Sequence, residues 1–384
     1  MSASRCTWLA LAFAAVAGAM LVSGNVRAET GFDVPHPHAP HGTHDGGGHD
    51  GGYALSVGPA VATVDRPDIT SGCHARPDAL GTSRVVEIDA TGGLEFGEQY
   101  LKDEPKFLEP GEVVLTFDDG PSRRYTVPIL NALDADCVKA TFFSVGRMAI
   151  SDPATLREVV RRGHTVGTHT WSHKNLASLG DAAMKREFEL GLSAVAAAVG
   201  GPVAPFFRFP YLGHSKATRD YIKSRGFGIF GIHVDSKDFR TKSPGIVLRN
   251  VLAQLDRTKK GILLFHDIQP STAGALASLL AELKARGYRV VHIESAHPAI
   301  TLPEYDAIAE KALASKSAAA AKAPLADRAA TWPISGPDEH GSAPHPAPSA
   351  RASKPAAPAS HPAKPHDWAN PGNDPWQLRS FGWD

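Results

Sequence analysis

Between Gly111 and about Ile300, seven apolar runs alternate with stretches of helical periodicity, and no other feature restricts the fold as much. The runs are Val113–Phe117, Ala140–Val145, Thr165–Thr168, Phe206–Phe209, Gly228–Val234, Ile262–Phe265 and Arg289–Ile293. Helix signals lie between them. Asp152-Pro153 reads as an N-cap followed by proline at the first helical position, with Gly163 closing that helix behind Arg162. Ala182–Val199 is a longer amphipathic stretch, Ser215–Arg225 ends at Gly226, Ser243-Pro244 opens a helix to about Arg257, and Thr272–Arg286 closes at Gly287. Strands alternating with helices imply parallel strands joined by right-handed crossovers. About seven such units exceed the needs of a small open sheet and approach a closed barrel.

The flanks read differently. The 384 residues accommodate one large domain with tails, or two small domains. Arg5, the apolar run Trp8–Val22 and Val26-Arg27-Ala28 predict an export signal over residues 1–28, and hence a secreted or periplasmic protein. The run is short for a membrane span, so no stable insertion is expected after cleavage. No cysteine follows it, which argues against a lipoprotein. Cys73 and Cys137 then remain, compatible with the disulfide of an exported chain or with a small buried thiol at Cys137. Residues 29–52 carry His36, His38, His41, His44 and His49 among Gly, Pro and Asp; they read as a disordered linker with at most weak metal capture. Residues 53–110 read as an extension packed on the main domain, with strand-like alternation over Arg84–Asp89. A helical pattern over Pro303–Ala323 opens the segment 301–384, whose Ala, Pro, Ser, Lys and His content predicts a mostly disordered tail. Its end, Trp368–Trp383, is compatible with docking on the domain or on a partner. With 40 basic and 40 acidic side chains the chain is formally neutral, which gives no reason to expect nucleic acid as a partner. A monomer is expected.

The reactive residues fall at the C-terminal ends of the strand-like runs, where parallel barrels gather their functional side chains. Asp118 and Asp119 follow the first run and precede the turn Gly120-Pro121. Adjacent side chains on a strand face opposite ways, but at a strand end entering a turn both can reach one cavity. One can then ligate a metal while the other moves protons. His169 and His173 follow the third run; four residues apart, they share a face on a helical turn. With one carboxylate they make a facial set of three ligands that leaves positions open. Arg208 ends the fourth run, Asp235 and Asp238 follow the fifth, and His266 and Asp267 follow the sixth. Asp267 reads as structural, Asp235 as a turn cap, and His164, His214 and His233 as structural or exposed. Trp171 and Tyr211 are suited to stacking on a sugar, and Trp171 equally to packing on the barrel.

Thr116–Pro121 (TFDDGP), His169–His173 (HTWSH), Arg208–Tyr211 (RFPY), Asp235–Phe239 (DSKDF) and Leu264–His266 (LFH) occur in this order. Together they resemble the five motifs of the polysaccharide deacetylases of carbohydrate esterase family four, the NodB-homology family, over residues 111–300. That resemblance implies an α/β fold, a distorted (β/α)7 TIM-like barrel. It implies a divalent metal, usually Zn2+ with Co2+, Mn2+ or Ni2+ as alternatives, held by Asp119, His169 and His173. It implies that Asp118 is the general base, Arg208 its orienting cation, His266 the general acid and Asp238 its support. It implies further that Tyr211 supplies a backbone N–H to the oxyanion and that Leu264 lines the acetyl pocket. Phe239 stands where the family usually has Trp, which keeps an apolar wall but loses the indole N–H. The expected substrate is an acetylated glycan, either chitin oligomers or peptidoglycan. The alternatives are an O-acetyl xylan esterase of the same family and a non-catalytic glycan- or metal-binding module.

Overall fold

A computed structural model describes residues 61–64, 76, 78–97 and 106–322. The expected signal sequence, the His-rich segment, Cys73 and the Trp-containing C-terminus lie outside these residues. The strands are β1 (Val61–Val64), β2 (Thr82–Ile88), β3 (Glu95–Phe96), β4 (Glu112–Asp118), β5 (Thr141–Ser144), β6 (Thr165–Thr168), β7 (Phe206–Phe207), β8 (Gly228–Phe230), β9 (Val234–Asp235), β10 (Gly261–His266) and β11 (Arg289–Ser295). The helices are α1 (Arg123–Ala135), α2 (Gly146–Ser151), α3 (Pro153–Arg161), α4 (Asp181–Val199), α5 (Lys216–Ser224), α6 (Pro244–Thr258), α7 (Pro270–Ala285) and α8 (Pro303–Lys322).

β4 is buried along its whole length and lies at the centre of the sheet. It pairs in parallel with β10 over Val113–Asp118 and with β5 over Thr116–Asp118, while Glu112 and Val113 also meet β11. From β5 the parallel order continues through β6 and β7 to β8. On the other side β9 joins β10 in parallel. The alternation of strands and helices therefore builds the expected distorted (β/α)7 barrel, with the alternation of side chains sorting two cores. Val113, Leu115 and Phe117 of β4 join Phe142, Phe207, Leu263 and Phe265 in the layer beneath the helices. Val114 joins Phe143, Phe206, Phe230 and Ile262 in the barrel interior. Thr116 and Asp118 continue the interior face of β4, as Leu264 and His266 continue that of β10.

The fifth apolar run, read in the sequence as one strand over Gly228–Val234, divides into β8 and β9. Two neighbours draw the chain aside at Gly231. Its N–H donates to the Phe96 carbonyl of β3 at 2.6 Å, and its own carbonyl accepts from the Arg208 guanidinium at 3.3 Å. β3 thus lies on β8 as a parallel strand, Glu95 beside Ile229 and Phe96 beside Phe230. Gly97, at φ +101°, lets the chain pass this point, because a Cβ there would lie 2.5 Å from the Ile232 nitrogen. Farther along the sheet β2 pairs in parallel with β11, and β1 adds antiparallel to β2.

α8 covers the last helical pattern in the described residues. It packs Tyr305, Ala309, Ala312 and Leu313 with Ile150, Leu190, Ala194 and Trp171, which belong to α2, α4 and the loop after β6. Cys137, just after α1, is disulfide-bonded, with its partner outside the described residues. Among the described residues no helix is long and apolar enough to cross a membrane.

Two consequences of this packing are measurable. A Cβ on Gly191 of α4 would lie 2.4 Å from the Thr170 carbonyl carbon, whereas one on Gly201 meets nothing within 4 Å. Gly191→Ala is expected to lower unfolding stability by about 1–3 kcal/mol in urea titrations, with Gly201→Ala changing it by less than about 0.5 kcal/mol. His164 is buried, its Nδ1 accepts the Ala140 N–H at 3.2 Å, and burial holds its pKa well below the ordinary 6.5. The folded state therefore resists a proton that the unfolded chain takes up. The stability His164 contributes is present above pH 6.5 and is lost as the pH falls below it. His164→Asn, which keeps an acceptor for Ala140 without the titration, is expected to flatten the fall of Tm between pH 7 and 5 relative to the wild type.

Candidate metal centre and active site

Asp118 ends β4 on the interior face. The next residue, Asp119, has φ 81°, in the left-handed region that side chains seldom adopt, so its carboxylate turns to the same side instead of the opposite one. Its N–H is held by the Phe143 carbonyl at 3.2 Å. Behind it, Asp267 fixes the turn: Oδ1 accepts the Gly120 N–H at 2.8 Å and Oδ2 accepts the Thr126 hydroxyl at 2.6 Å. A Cβ on Gly120 would lie 2.0 Å from the Asp267 carboxylate, so only glycine fits. Asp267 is structural, as the sequence suggested.

His169 and His173 meet, with ring centroids 5.0 Å apart, but not on a helical turn as their spacing suggested. Residues 169–175 form a loop, with Thr170 at φ 67° and His173 at φ 60°. The loop is tied down from outside the motif. Thr170 and Trp171 carbonyls accept the Gly146 and Arg147 N–H groups at 2.9 Å each. Trp171 packs with α8 and lies beneath the Arg147 guanidinium at 5.7 Å from its ring, which favours the packing role over sugar stacking.

Arg208 follows β7 and is fully buried. Its Nη1 donates to Asp118 Oδ1 at 2.7 Å and to Thr116 Oγ1 at 2.8 Å, its Nε to the Phe230 carbonyl at 3.1 Å, and its plane lies 4.4 Å from the Phe143 ring centre. A neighbouring guanidinium pulls a carboxyl pKa down. Burial outweighs it: the carboxyl lies above its ordinary value, with the guanidinium opposing the rise.

His266 ends β10 and pairs with Asp238. The Nδ1–H donates to Asp238 Oδ1 at 2.7 Å, and the His266 backbone N–H donates to Oδ2 at 2.8 Å. The Thr272 hydroxyl also donates to Oδ2. Burial opposes both charges, yet the attraction of Asp238 raises His266 to about 10, and Asp238 stays below its ordinary value. The pair is an imidazolium and a carboxylate. Phe239 stands edge-on to the His266 ring, with centroids 5.7 Å apart.

Tyr211 is 41% exposed, sits at φ 58° and places its ring 4.7 Å from that of His173. Leu264 is buried on β10, two residues before His266. Asp235 caps a turn, accepting the Lys237 N–H at 2.9 Å. His233 accepts the Ile262 N–H, and His214 lies against the Phe209 ring. Thr116, Thr272 and Glu187 were not singled out in the sequence. Thr116 was findable, since it lies two residues before Asp118 on the same strand face. The other two lie on the helices that follow, Glu187 on α4 and Thr272 on α7, outside the motifs, and carry no local signal.

The donor set fits a cation. Asp119, His169 and His173 each offer an atom within 4.8 Å of the others, all three residues buried. The His169 Nδ1–H must donate to the Arg208 carbonyl at 2.7 Å, because a carbonyl can only accept. Burial lowers His169 to about 3 and His173 well below 6.5, so both rings are neutral. The His169 Nε2 therefore turns a lone pair toward Asp119 Oδ1 at 3.6 Å, while His173 Nε2 stands 3.2 Å from the same oxygen. That oxygen is buried without a hydrogen bond. Burial foremost, and the Asp118 charge against the pull of His266, raise the Asp119 carboxyl to about 7. The His169 Nε2 and the ionised Asp119 oxygen are both acceptors, and such atoms facing one another in a dry pocket repel unless a cation lies between them. Ligands bound at about 2.0–2.2 Å with tetrahedral angles stand roughly 3.4 Å apart, close to the spacings here.

Comparison with known proteins places the chain among relatives. A family model described as polysaccharide deacetylase matches residues 107–230. A peptidoglycan-N-acetylglucosamine deacetylase of Listeria monocytogenes is 34% identical over 190 residues, which cover 50% of this chain and 40% of the relative. A chitin deacetylase of Colletotrichum lindemuthianum is 30% identical over 197 residues, covering 48% of this chain and 79% of the relative. The solved structure of a Bdellovibrio bacteriovorus peptidoglycan deacetylase superposes with a TM-score of 0.50 at 36% identity, over 56% of this chain and 59% of that one. The motifs in their order, the barrel that carries them and these likenesses lead to one conclusion: this chain belongs to the polysaccharide deacetylase family.

Proposed function

We propose that the protein is an exported, metal-dependent deacetylase that removes N-acetyl groups from glycans containing N-acetylglucosamine, such as chitin oligomers or peptidoglycan. The observation that carries this reading is the convergence of the Asp119, His169 and His173 donor atoms within 4.8 Å of one another. An anchored carboxylate, Asp118, lies on one side, and an imidazolium, His266, is close enough for its charge to act on Asp119. A binding module needs neither an acid nor a base. The catalytic domain is assigned to residues 111–300 behind a signal peptide of residues 1–28, and the working form to a monomer.

Asp119, His169 and His173 would hold a divalent cation, with Zn2+ the best match to two imidazoles and a carboxylate. When bound, it supplies Lewis acidity to the acetyl carbonyl and to water. Asp118 takes the proton from the attacking water as its oxygen bonds to the carbonyl carbon. Its raised pKa makes it a stronger base than an ordinary carboxylate, and the Arg208 bond leaves Oδ2 directed at the site. The Tyr211 backbone N–H donates to the developing oxyanion. His266 gives its Nε2 proton to the amine nitrogen as the C–N bond breaks, leaving acetate and a free amino sugar. Asp238 holds the ring in its donor form by taking the Nδ1–H bond. Leu264 and Phe239 close the apolar side of the acetyl pocket.

Acetate release from chitin oligomers and from peptidoglycan is the direct assay. Asp118→Asn is expected to lower turnover by roughly 10²–10⁴-fold, with zinc per chain unchanged by elemental analysis; wild-type turnover in this variant would remove Asp118 as the base. Dialysis against dipicolinate is expected to stop acetate release and to lower Tm, and added Zn2+ to restore both. A chelated protein with full activity and unaltered Tm would contradict the metal assignment.

A further inference from the structure

The loop that carries both histidines has no regular structure of its own. Within it the Thr170 hydroxyl accepts the His173 N–H at 3.0 Å; the rest of its support comes from its neighbours, and one side chain there holds the residues that flank His173. Glu187, on α4, is only 6% exposed. Its Oε2 accepts the Ser172 N–H at 2.9 Å and its Oε1 accepts the Ser172 hydroxyl at 2.7 Å. The Lys174 ammonium, on the other side of His173, lies 3.5 Å from Oε1. The Glu187 backbone carbonyl accepts the Trp171 N–H at 2.7 Å. One residue thus binds the chain on both sides of a metal-facing histidine.

α4 is a firm base for this grip. Gly191, one turn beyond Glu187, brings the helix into backbone contact with Thr170. Leu190 and Ala194 pack against α8 and Trp171 on the same helix. The His173 backbone at φ 60° also needs outside support, since a side-chain-bearing residue there is strained. Two short bonds from a buried carboxylate to Ser172 supply it at the adjoining residue.

We propose that Glu187 is a positioning residue for the metal: by clamping Ser172 it holds the His173 imidazole beside the Asp119 carboxylate and thereby sets the affinity of the site for a divalent cation. This rests on the metal reading above. Groups that orient a ligand from behind typically change metal affinity by about 10–100-fold when removed. Glutamine in this position keeps one acceptor and loses the second, so it is the intermediate case.

The test is the Zn2+ dissociation constant of the full chain, measured by competition with a chromophoric chelator, together with the Tm of the metal-free proteins. Glu187→Ala is expected to weaken Zn2+ binding by about 10–100-fold, with Glu187→Gln and Ser172→Ala between it and the wild type. A lower metal-free Tm with an unchanged zinc constant would mark Glu187 as merely structural and overturn the inference. If Glu187→Ala does not fold, Ser172→Ala decides, because it removes one partly exposed hydroxyl; an unchanged zinc constant there likewise overturns the inference. A wild-type chain that binds no zinc would overturn the metal reading, and this inference with it.

Discussion

A guanidinium enclosed in the barrel joins the parts of this site. Arg208 is fully buried and meets Asp118, Thr116 and the carbonyls of Phe230 and Gly231. Its own carbonyl takes the His169 Nδ1–H, which fixes the tautomer of that ring. One residue therefore orients the Asp118 carboxylate, aims the His169 Nε2 and draws aside the chain between β8 and β9. Burying such a charge is expensive unless it is paired and hydrogen-bonded throughout. Removing a single partner would leave the other charged and dry, a loss of about 3–5 kcal/mol for a buried pair. The contacts around Arg208 consequently stand or fall together.

The second pair, His266 and Asp238, follows the same rule with the charges reversed in role. Here the carboxylate is the fully enclosed member and the imidazolium reaches the site. Asp238 is held by a ring N–H, a backbone N–H and a hydroxyl, so that its charge persists in spite of burial. The two pairs lie at the ends of adjacent parallel strands, β4 and β10, whose register sets Asp118 beside His266. The proposed acid and base are thus set side by side through a backbone ladder rather than through flexible loops.

Unusual backbone angles gather at the same place. Asp119, Thr170, His173, Tyr211 and Leu212 all have positive φ without being glycine. Each costs of order 1 kcal/mol or more and persists only where its surroundings leave no alternative. Asp267 provides that constraint for the Asp119 turn, and Glu187 with Gly191 for the histidine loop.

What the chain determined by itself was the periodicity and the residue types. Alternating apolar runs and helical stretches imply parallel strands covered by helices, because neither element can bury its apolar face alone, and about seven such units approach a closed barrel. Reactive side chains following those runs were therefore legible as one functional face, and the motif order already named the family. The sequence could not show that Gly228–Val234 is two strands, since the break arises from β3 and Arg208, both distant along the chain. Nor could spacing reveal that His169 and His173 meet on a strained loop, because a four-residue interval looks the same on a helix. The motif resemblance paired Asp119 with the imidazoles and Asp118 with the guanidinium, but only the folded chain shows how two adjacent carboxylates come to divide in this way. That choice depends on a backbone torsion at Asp119, and such a torsion is fixed by long-range packing, not by the identity of the residue.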